Sequence, residues 1–235
     1  MIAALVNAVA ILVGSLIGLQ LKDKVKPELT HPVMVAVGLC TLVIGLDNSF
    51  KTSNILIVII SLALGTFLGE YLRIQQKLEV FSERLSSKVG KRQQDNLFSQ
   101  GFISASLLFC VGAMAVIGSI DAGVSKNYQT IFSKSIMDFI ASIILSSTFG
   151  MGVAFSSVAV LLYQGGLTLF ARILAPYLNT MLINELSAVG GIMLLGTAVN
   201  ILKLKEESIF VMNMMPSLIM PVFIMPLVNI INSFF

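Results

Sequence analysis

The sequence predicts an all-α fold, a polytopic transmembrane helical bundle with about eight spans. Its composition is 56% hydrophobic and only 11% charged, whereas an average soluble domain is about 25% charged. Most of the charged side chains fall in three short runs, at residues 22–28, 70–95 and 203–207. Long apolar stretches separate those runs. Residues 1–235 therefore form a single integral membrane domain in this interpretation, with no room for a soluble catalytic domain.

Eight apolar stretches approach the length of about 20 residues that crosses about 30 Å of hydrocarbon. The second is short, and the boundary between the fifth and sixth, near Gly150 and Gly152, is weak, so seven spans remain an alternative. The predicted spans are Ile2–Leu21, Pro32–Leu46, Asn54–Leu72, Leu97–Ile120, Ile136–Gly152, Phe155–Ala175, Ile183–Leu202 and Ile209–Phe234.

The loop charges predict the orientation. Lysine and arginine concentrate in the odd-numbered loops, which hold eleven of them, whereas the other four lie in the even-numbered loops or, for Arg172, near the end of the sixth span. Cytoplasmic loops retain positive charge during insertion. We therefore expect both termini to lie outside, in a multi-pass protein.

Two parts of the chain resemble each other. Residues 9–12 (VAIL) resemble 158–161 (VAVL), Pro27 and Pro176 share the same separation of 149 residues, and the triplet AVG at 36–38 recurs at 188–190. An odd number of spans separates the copies, so their orientations are opposite. The sequence thus predicts an inverted repeat of the kind found in secondary transporters. Its parts are a first repeat at 1–72, a cytoplasmic amphipathic linker at 73–96, a central hairpin at 97–152 and a second repeat at 153–235.

The linker has one apolar stripe at helical spacing, formed by Ile74, Leu78, Phe81, Leu85 and Val89. This pattern indicates a helix lying in the membrane interface. Such a helix either docks a partner or serves as a connector on the lipid headgroups.

Polar residues within the predicted spans are the candidates for a binding site, because hydrocarbon accepts them only when they are paired or functional. Lys134 and Asp138 are four residues apart and can pair on one helix face, as an anchor of the span or as part of a transport site. Either Asp138 or Asp121 could couple transport to a proton or sodium ion. The candidate substrate- or ion-binding residues are Asp138, Ser119, Asp121, Gln164, Asn200 and Asn213.

Three residues are candidate helix breaks near such a site: Gly112, Gly118 and Pro216. A broken helix exposes backbone groups that bind ions. For the glycines, close helix packing is the alternative.

The sequence lacks the residues that several classes of function require. His31 is the only histidine, and no HExxH or phosphate-loop motif is present, so we expect no enzyme, no catalytic residues, no metal site and no cofactor. The net charge of +3 comes from loops, so no nucleic-acid partner is expected. Cys40 and Cys110 lie in apolar runs, where free thiols are typical.

The segment 109–120, FCVGAMAVIGSI, resembles the bacterial membrane family called domain of unknown function 554, which includes YdfK-like and YqgA-like proteins. The resemblance continues through Lys134-Ser135 with Asp138, Gln164-Gly165, Gly190-Gly191 and Asn213 with Pro216, and covers essentially the whole chain. It implies a polytopic protein of the bacterial inner (plasma) membrane. It implies no particular substrate.

The leading functional hypothesis is a secondary transporter or channel-like protein for a small solute or ion, with its site between the inverted repeats near the membrane midplane. The expected partners are the lipid bilayer and that solute or ion, and a homodimer remains open. The alternative is a non-transporting membrane scaffold or sensor that acts through residues 73–96.

Overall fold

The computed structural model describes residues 1–22, 27–77, 80, 95–111 and 113–232. Helices dominate these ranges, and no strand occurs in them. They are α1 (Ile2–Lys22), α2 (Pro27–Ser49), α3 (Ile55–Tyr71), α4 (Asp95–Cys110), α5 (Ala113–Val124), α6 (Gln129–Phe149), α7 (Met151–Leu169), α8 (Ala171–Leu174), α9 (Thr180–Ile201), a 3₁₀ helix (Val211–Leu218) and α10 (Met220–Asn232). The all-α prediction is confirmed for the described residues.

Five helices are long and apolar enough to cross a membrane, namely α1, α2, α6, α7 and α9. The α4–α5 pair makes a sixth candidate, bent by 58°. The third predicted span, α3, is a shorter apolar helix of 17 residues, and the last is divided between the 3₁₀ helix and α10. Exposed apolar side chains such as Leu162 and Phe67 cover the outside of the bundle, as expected of lipid-facing surfaces.

The predicted helix breaks have different outcomes. Gly112 lies outside the described residues, although α4 ends at Cys110 and α5 begins at Ala113. Gly118 does not break a helix, because α5 runs unbroken through it and packs there against Thr130 and Ile131. Pro216 lies inside the 3₁₀ helix.

The boundary between the fifth and sixth predicted spans is a single residue, Gly150. Its φ of 82° belongs to a backbone region that glycine adopts without steric cost. The helix before it, α6, begins at Gln129, earlier than the Ile136 predicted from the sequence. Lys134 therefore lies within the helix and not in the preceding loop.

Helices α1 and α6 run parallel, in very close contact. Gly14 faces Phe139 and Ser142, and one turn later Gly18 faces Ile143 and Ser146. The residue numbers therefore increase in the same direction along both helices. Glycines at four-residue spacing let helix backbones approach closely in membranes, which explains how α1 lies directly against the α6 backbone.

The other principal pairs fix the remaining directions. In α2 and α9, Gly38 faces Leu202 while Gly45 faces Gly191, so these helices are antiparallel. Antiparallel packing also joins α3 to the 3₁₀ helix, where Gly65 faces Ser217 and Gly69 faces Asn213. The loop before α3 meets the start of α9 at Glu185, and the chain around Ile209 and Asn213 contacts the ends of both helices, so α3 and α9 are parallel. We call the side of the bundle that holds Met1 the amino-terminal face, and the other side the opposite face.

Candidate functional site

A buried polar cluster joins α1, α6 and α7. It consists of Asn7, Lys134, Asp138 and Gln164, and none of these residues is more than 7% exposed. The Lys134 ammonium donates to both Asp138 oxygens at 2.8 Å. Asn7 Nδ2 donates to Asp138 Oδ2 at 2.9 Å and to Gln164 Oε1 at 3.1 Å. One amide thus connects the ion pair to α7.

The cluster lies within the bundle and not at its rim. Asp138 is close to the middle of α6, which spans residues 129–149. Gln164 lies in the last third of α7 and Asn7 in the first third of α1, so the cluster extends from the middle toward the amino-terminal face. An ion pair inside a membrane protein is characteristic of ion or substrate pathways.

The hydrogen bonds within the cluster leave two polar atoms without partners. Asn7 Oδ1, an acceptor, and Gln164 Nε2, a donor, are buried and make no hydrogen bond. Buried polar atoms in folded proteins are nearly always satisfied by protein or water. The next residue on α7, Gly165, faces only the flexible Met1 thioether, which would lie 3.8 Å from a Cβ added there. The cluster itself therefore leaves one buried donor and one buried acceptor without a protein partner.

The bend between α4 and α5 lies close to this cluster. Cys110, the last residue of α4, is near enough for its thiol to interact electrostatically with Lys134 and Asp138. Cys110 and Cys40 are both free thiols. The end of α4 thus lies within electrostatic range of the ion pair.

A second buried carboxylate, Glu185, lies at the amino-terminal face and binds the loop before α3. Its Oε2 accepts from Thr52 Oγ1 at 2.6 Å. Its Oε1 accepts from the backbone N–H groups of Ser53 and Asn54 at 2.9 and 3.2 Å, and from the Ser53 hydroxyl. Glu185 is fully buried on α9, so it ties α9 to the loop before α3. Sequence reasoning missed this residue, although it is the only carboxylate within the seventh predicted span.

Polar groups at the opposite face hold the chain that follows α9. The Asn200 side chain donates to the Ile209 carbonyl and accepts from its N–H, both at 2.8 Å. Asn213 accepts from the Gln75 N–H at 2.7 Å and donates to Glu70. Beside Asn200 lies a cavity of about 250 Å³ whose polar lining includes Gln75, Ser99, Gln100, Ser104, Thr197 and Ser208.

The predicted site residues therefore lie in separate parts of the structure. Asp138 and Gln164 meet in the buried cluster, whereas Asn200 and Asn213 lie at the opposite face. Ser119 is buried, but its hydroxyl donates to the Ala115 carbonyl of its own helix. Asp121 lies near the end of α5, apart from the cluster. No group of three or more His, Cys, Asp or Glu side chains suited to a metal ion occurs among the described residues.

Comparison with known proteins assigns the family. Residues 2–226 match the family described as "Protein of unknown function (DUF554)". The chain belongs to the DUF554 family. One DUF554-like relative, "Uncharacterized membrane protein YdfK" of Bacillus subtilis (strain 168), is 32% identical over 225 residues, which is 94% of each chain. "Uncharacterized protein YqgA" of Escherichia coli (strain K12) is 26% identical over 93% of this chain and 94% of the relative.

No solved structure matches this DUF554 chain significantly. The resemblance to domain of unknown function 554 expected from the sequence is confirmed, and the YdfK relative is named a membrane protein. The apolar helices described above agree with that name.

Proposed function

We propose that this DUF554 chain is a secondary transporter for a small solute or ion in the bacterial inner membrane. The observation that carries the proposal is the buried cluster of Asn7, Lys134, Asp138 and Gln164, which joins the first helix of each predicted repeat to the central hairpin. Such midplane sites between repeats are typical of secondary transporters.

The helix pairing supports an inverted repeat. Each element of the first repeat packs antiparallel against its counterpart in the second: α1 against α7, α2 against α9, and α3 against the 3₁₀ helix. A two-fold axis in the membrane plane generates this arrangement. Gly65 faces Ser217, 152 residues later, and the AVG triplets have the same separation. Such an axis would pass beside this contact.

These helix directions support eight crossings with both termini on the same side of the membrane, and the lysine and arginine distribution favours the outer side. On this threading, α3 and the segment formed by the 3₁₀ helix and α10 each cross the membrane, in addition to the six candidates established by length. The six candidates identified by length are also membrane crossings in this arrangement.

The two faces of the bundle differ in a way that suits alternating access. Glu185 ties down the loop before α3 at the amino-terminal face, while a cavity with a mixed polar and apolar lining lies at the opposite face. A transporter of this kind exposes its site to one side at a time. The structure then corresponds to a state closed at the amino-terminal face.

Flux through proteoliposomes tests the proposal. Radiolabelled or dye-detected uptake of cations, small anions, amino acids and polyamines is measured with the native protein and with Asp138→Asn. We expect uptake of at least one class, and its loss in Asp138→Asn. Because that variant leaves Lys134 uncompensated, the double variant Lys134→Gln/Asp138→Asn, which buries no charge, is tested beside it and is also expected to be inactive.

The matched control is Asp47→Asn. Asp47 also pairs with a lysine four residues away, Lys51, at 3.0 Å, but its side chain is 71% exposed. It should keep native flux. Full flux in the double variant would remove the buried pair from the mechanism. Loss of function only when the charges of residues 73–96 are changed would instead favour the scaffold or sensor.

A further inference from the structure

We infer that the substrate is a small monovalent anion, carried together with one proton, with Lys134 holding the anion and Asp138 holding the proton. This inference rests on the proposed function and adds the substrate class and the coupling. It depends on the charges of the cluster, on its two unpartnered atoms and on the few groups that face Asp138.

The charges restrict which loaded states can cross. In the structure Lys134 and Asp138 neutralise each other at 2.8 Å. Isolated charges are costly to bury in a membrane interior, whereas paired ones are tolerated. A bound anion alone would leave one excess negative charge, and a proton alone on Asp138 would leave Lys134 unpaired. Only the empty pair and the site loaded with both ions are neutral.

A cation is a poor occupant for the same reason. Lys134 already supplies the positive charge that neutralises Asp138, and an added cation would lie beside an ammonium in a low-dielectric interior. Anion binding reverses this balance once Asp138 is protonated, because Lys134 then lacks a counter-ion. The pair therefore favours anions over cations.

The two unpartnered atoms match the two transported species. Gln164 Nε2 is a buried donor without an acceptor, and an anion beside Lys134 would accept its hydrogen bond. Asn7 Oδ1 is a buried acceptor without a donor, and its amide already contacts Asp138. Protonation gives Asp138 an O–H that needs an acceptor. The structure thus contains one spare donor for the anion and one spare acceptor for the proton.

The groups that face Asp138 are few. Lys134 comes from its own helix, Asn7 from α1, and the Cys110 thiol from the end of α4. Lys134 is the one oppositely charged group acting on Asp138 within the described residues. Loss of Lys134 as a partner, when Lys134 takes an anion, would therefore favour the protonated form of Asp138.

The cycle balances in atoms and charge. One proton from the aqueous side adds to an Asp138 carboxylate oxygen, and the Lys134–Asp138 ion pair is exchanged for a contact between Lys134 and the anion. On the other side the anion leaves, the carboxyl loses its proton to water, and the original pair reforms. No net charge crosses the membrane.

Anion-driven acidification is the test. Proteoliposomes loaded with a pH-sensitive dye receive an inward gradient of chloride, nitrate or glycolate against impermeant gluconate, with protein-free vesicles as the blank. We expect internal acidification with at least one of the three anions. Valinomycin sets the membrane potential to 0 mV with equal potassium on both sides and to −100 mV with a potassium gradient. The rate of acidification should be the same at both potentials, because symport of one anion with one proton is electroneutral.

Two variants connect the activity to the cluster. Lys134→Gln/Asp138→Asn should abolish anion-driven acidification. Gln164→Leu removes the unpartnered donor and keeps a side chain of similar size, so it should raise the half-saturating anion concentration at least about tenfold. Gly166→Ala is the control on the same helix, since nothing lies within 4 Å of a Cβ added there.

Each other result would overturn the inference. Acidification that needs no anion indicates a proton channel, and a rate that follows the imposed potential contradicts neutral symport. Absence of acidification with all three anions also counts against it. Uptake of sodium, methylammonium or a neutral solute that is lost in the double variant would contradict the anion inference while leaving the proposed transport function standing.

Discussion

At the scale of single residues, Asp138 and Lys134 depend on each other for stability. Removing one member of a buried ion pair leaves an uncompensated charge and costs about 3–5 kcal/mol. We therefore expect Asp138→Asn to lower the free energy of unfolding by about that amount. Lys134→Gln/Asp138→Asn should recover most of the loss, because it buries no charge. Thermal unfolding in detergent, followed by circular dichroism at 222 nm, measures both, and equal losses in the two proteins would contradict the argument.

Glu185 should matter for the stability of the amino-terminal face. Its carboxylate accepts two backbone N–H groups and two hydroxyls, and unmet buried donors cost about 1–3 kcal/mol each. Glu185→Ala should therefore expose the loop at residues 50–54. The measurement is trypsin cleavage after Lys51, which should become faster in Glu185→Ala and change less in Glu185→Gln, whose amide oxygen still accepts. Native cleavage rates in Glu185→Ala would show that the loop is held by other contacts.

The residues of the cluster differ in how far the sequence could predict them. The Lys134–Asp138 pair is local, so spacing on one helix was enough to predict it. The partnership of Asp138 with Asn7 spans 131 residues, and that of Glu185 with Ser53 spans 132. Such contacts depend on which helices pack together, which one sequence does not reveal. The polarity of Asn200 and Asn213 was recognised, but their task of holding the chain after α9 was not.

At the scale of elements, the contact between α1 and α6 depends on its glycines. A Cβ added at Gly18 would overlap the Ile143 carbonyl, which belongs to the backbone and cannot move aside cheaply. Gly18→Ala should therefore lower the thermal midpoint. Gly166→Ala has open space and better helix propensity, so it should be neutral or stabilising by up to about 1 kcal/mol. The comparison uses the same thermal unfolding measurement, and equal midpoints would mean that α1 can shift along α6.

The last predicted span shows how local chemistry predicts irregularity but not its form. Its prolines predicted an interrupted helix, and the chain there is a 3₁₀ helix of 8 residues followed by α10. The close approach of Gly69 to Asn213 fixes where the 3₁₀ helix lies. That approach involves α3, so the prolines alone could not predict it.

At the scale of the whole molecule, the proposed order of eight membrane crossings predicts which loops lie on the same side of the membrane. If all eight segments cross, Lys51 and Lys126 lie on the outer face and Lys205 on the inner face. Single cysteines at these positions, in a protein without Cys40 and Cys110, should react with a membrane-impermeant maleimide on intact cells at the first two sites only. Six crossings without α3 and the last segment would separate Lys51 from Lys126. Labelling of only one of those two would contradict eight crossings.

Composition and hydropathy were sufficient for the all-α class and for the membrane environment, because both depend on average properties of long segments. The number of crossings was harder to predict. A 17-residue helix such as α3 falls at the lower limit of bilayer-spanning length, so length alone does not decide it. The packing of α3 along the 3₁₀ helix is the further observation on which the proposed crossing of α3 rests.

The parallel contact between α1 and α6 also has a consequence for biosynthesis. Among the five long apolar helices, α1 has the highest mean hydropathy, 2.4, and α6 has the lowest, 1.3. The first helix can enter the bilayer unaided, but its Asn7 must wait for a partner 131 residues downstream, which takes on the order of 10 s of translation. When α6 leaves the translocon with its ion pair, α1 offers it both a glycine surface and a hydrogen-bond donor. Helix α1 would then act as an internal chaperone for the least apolar long helix of the chain.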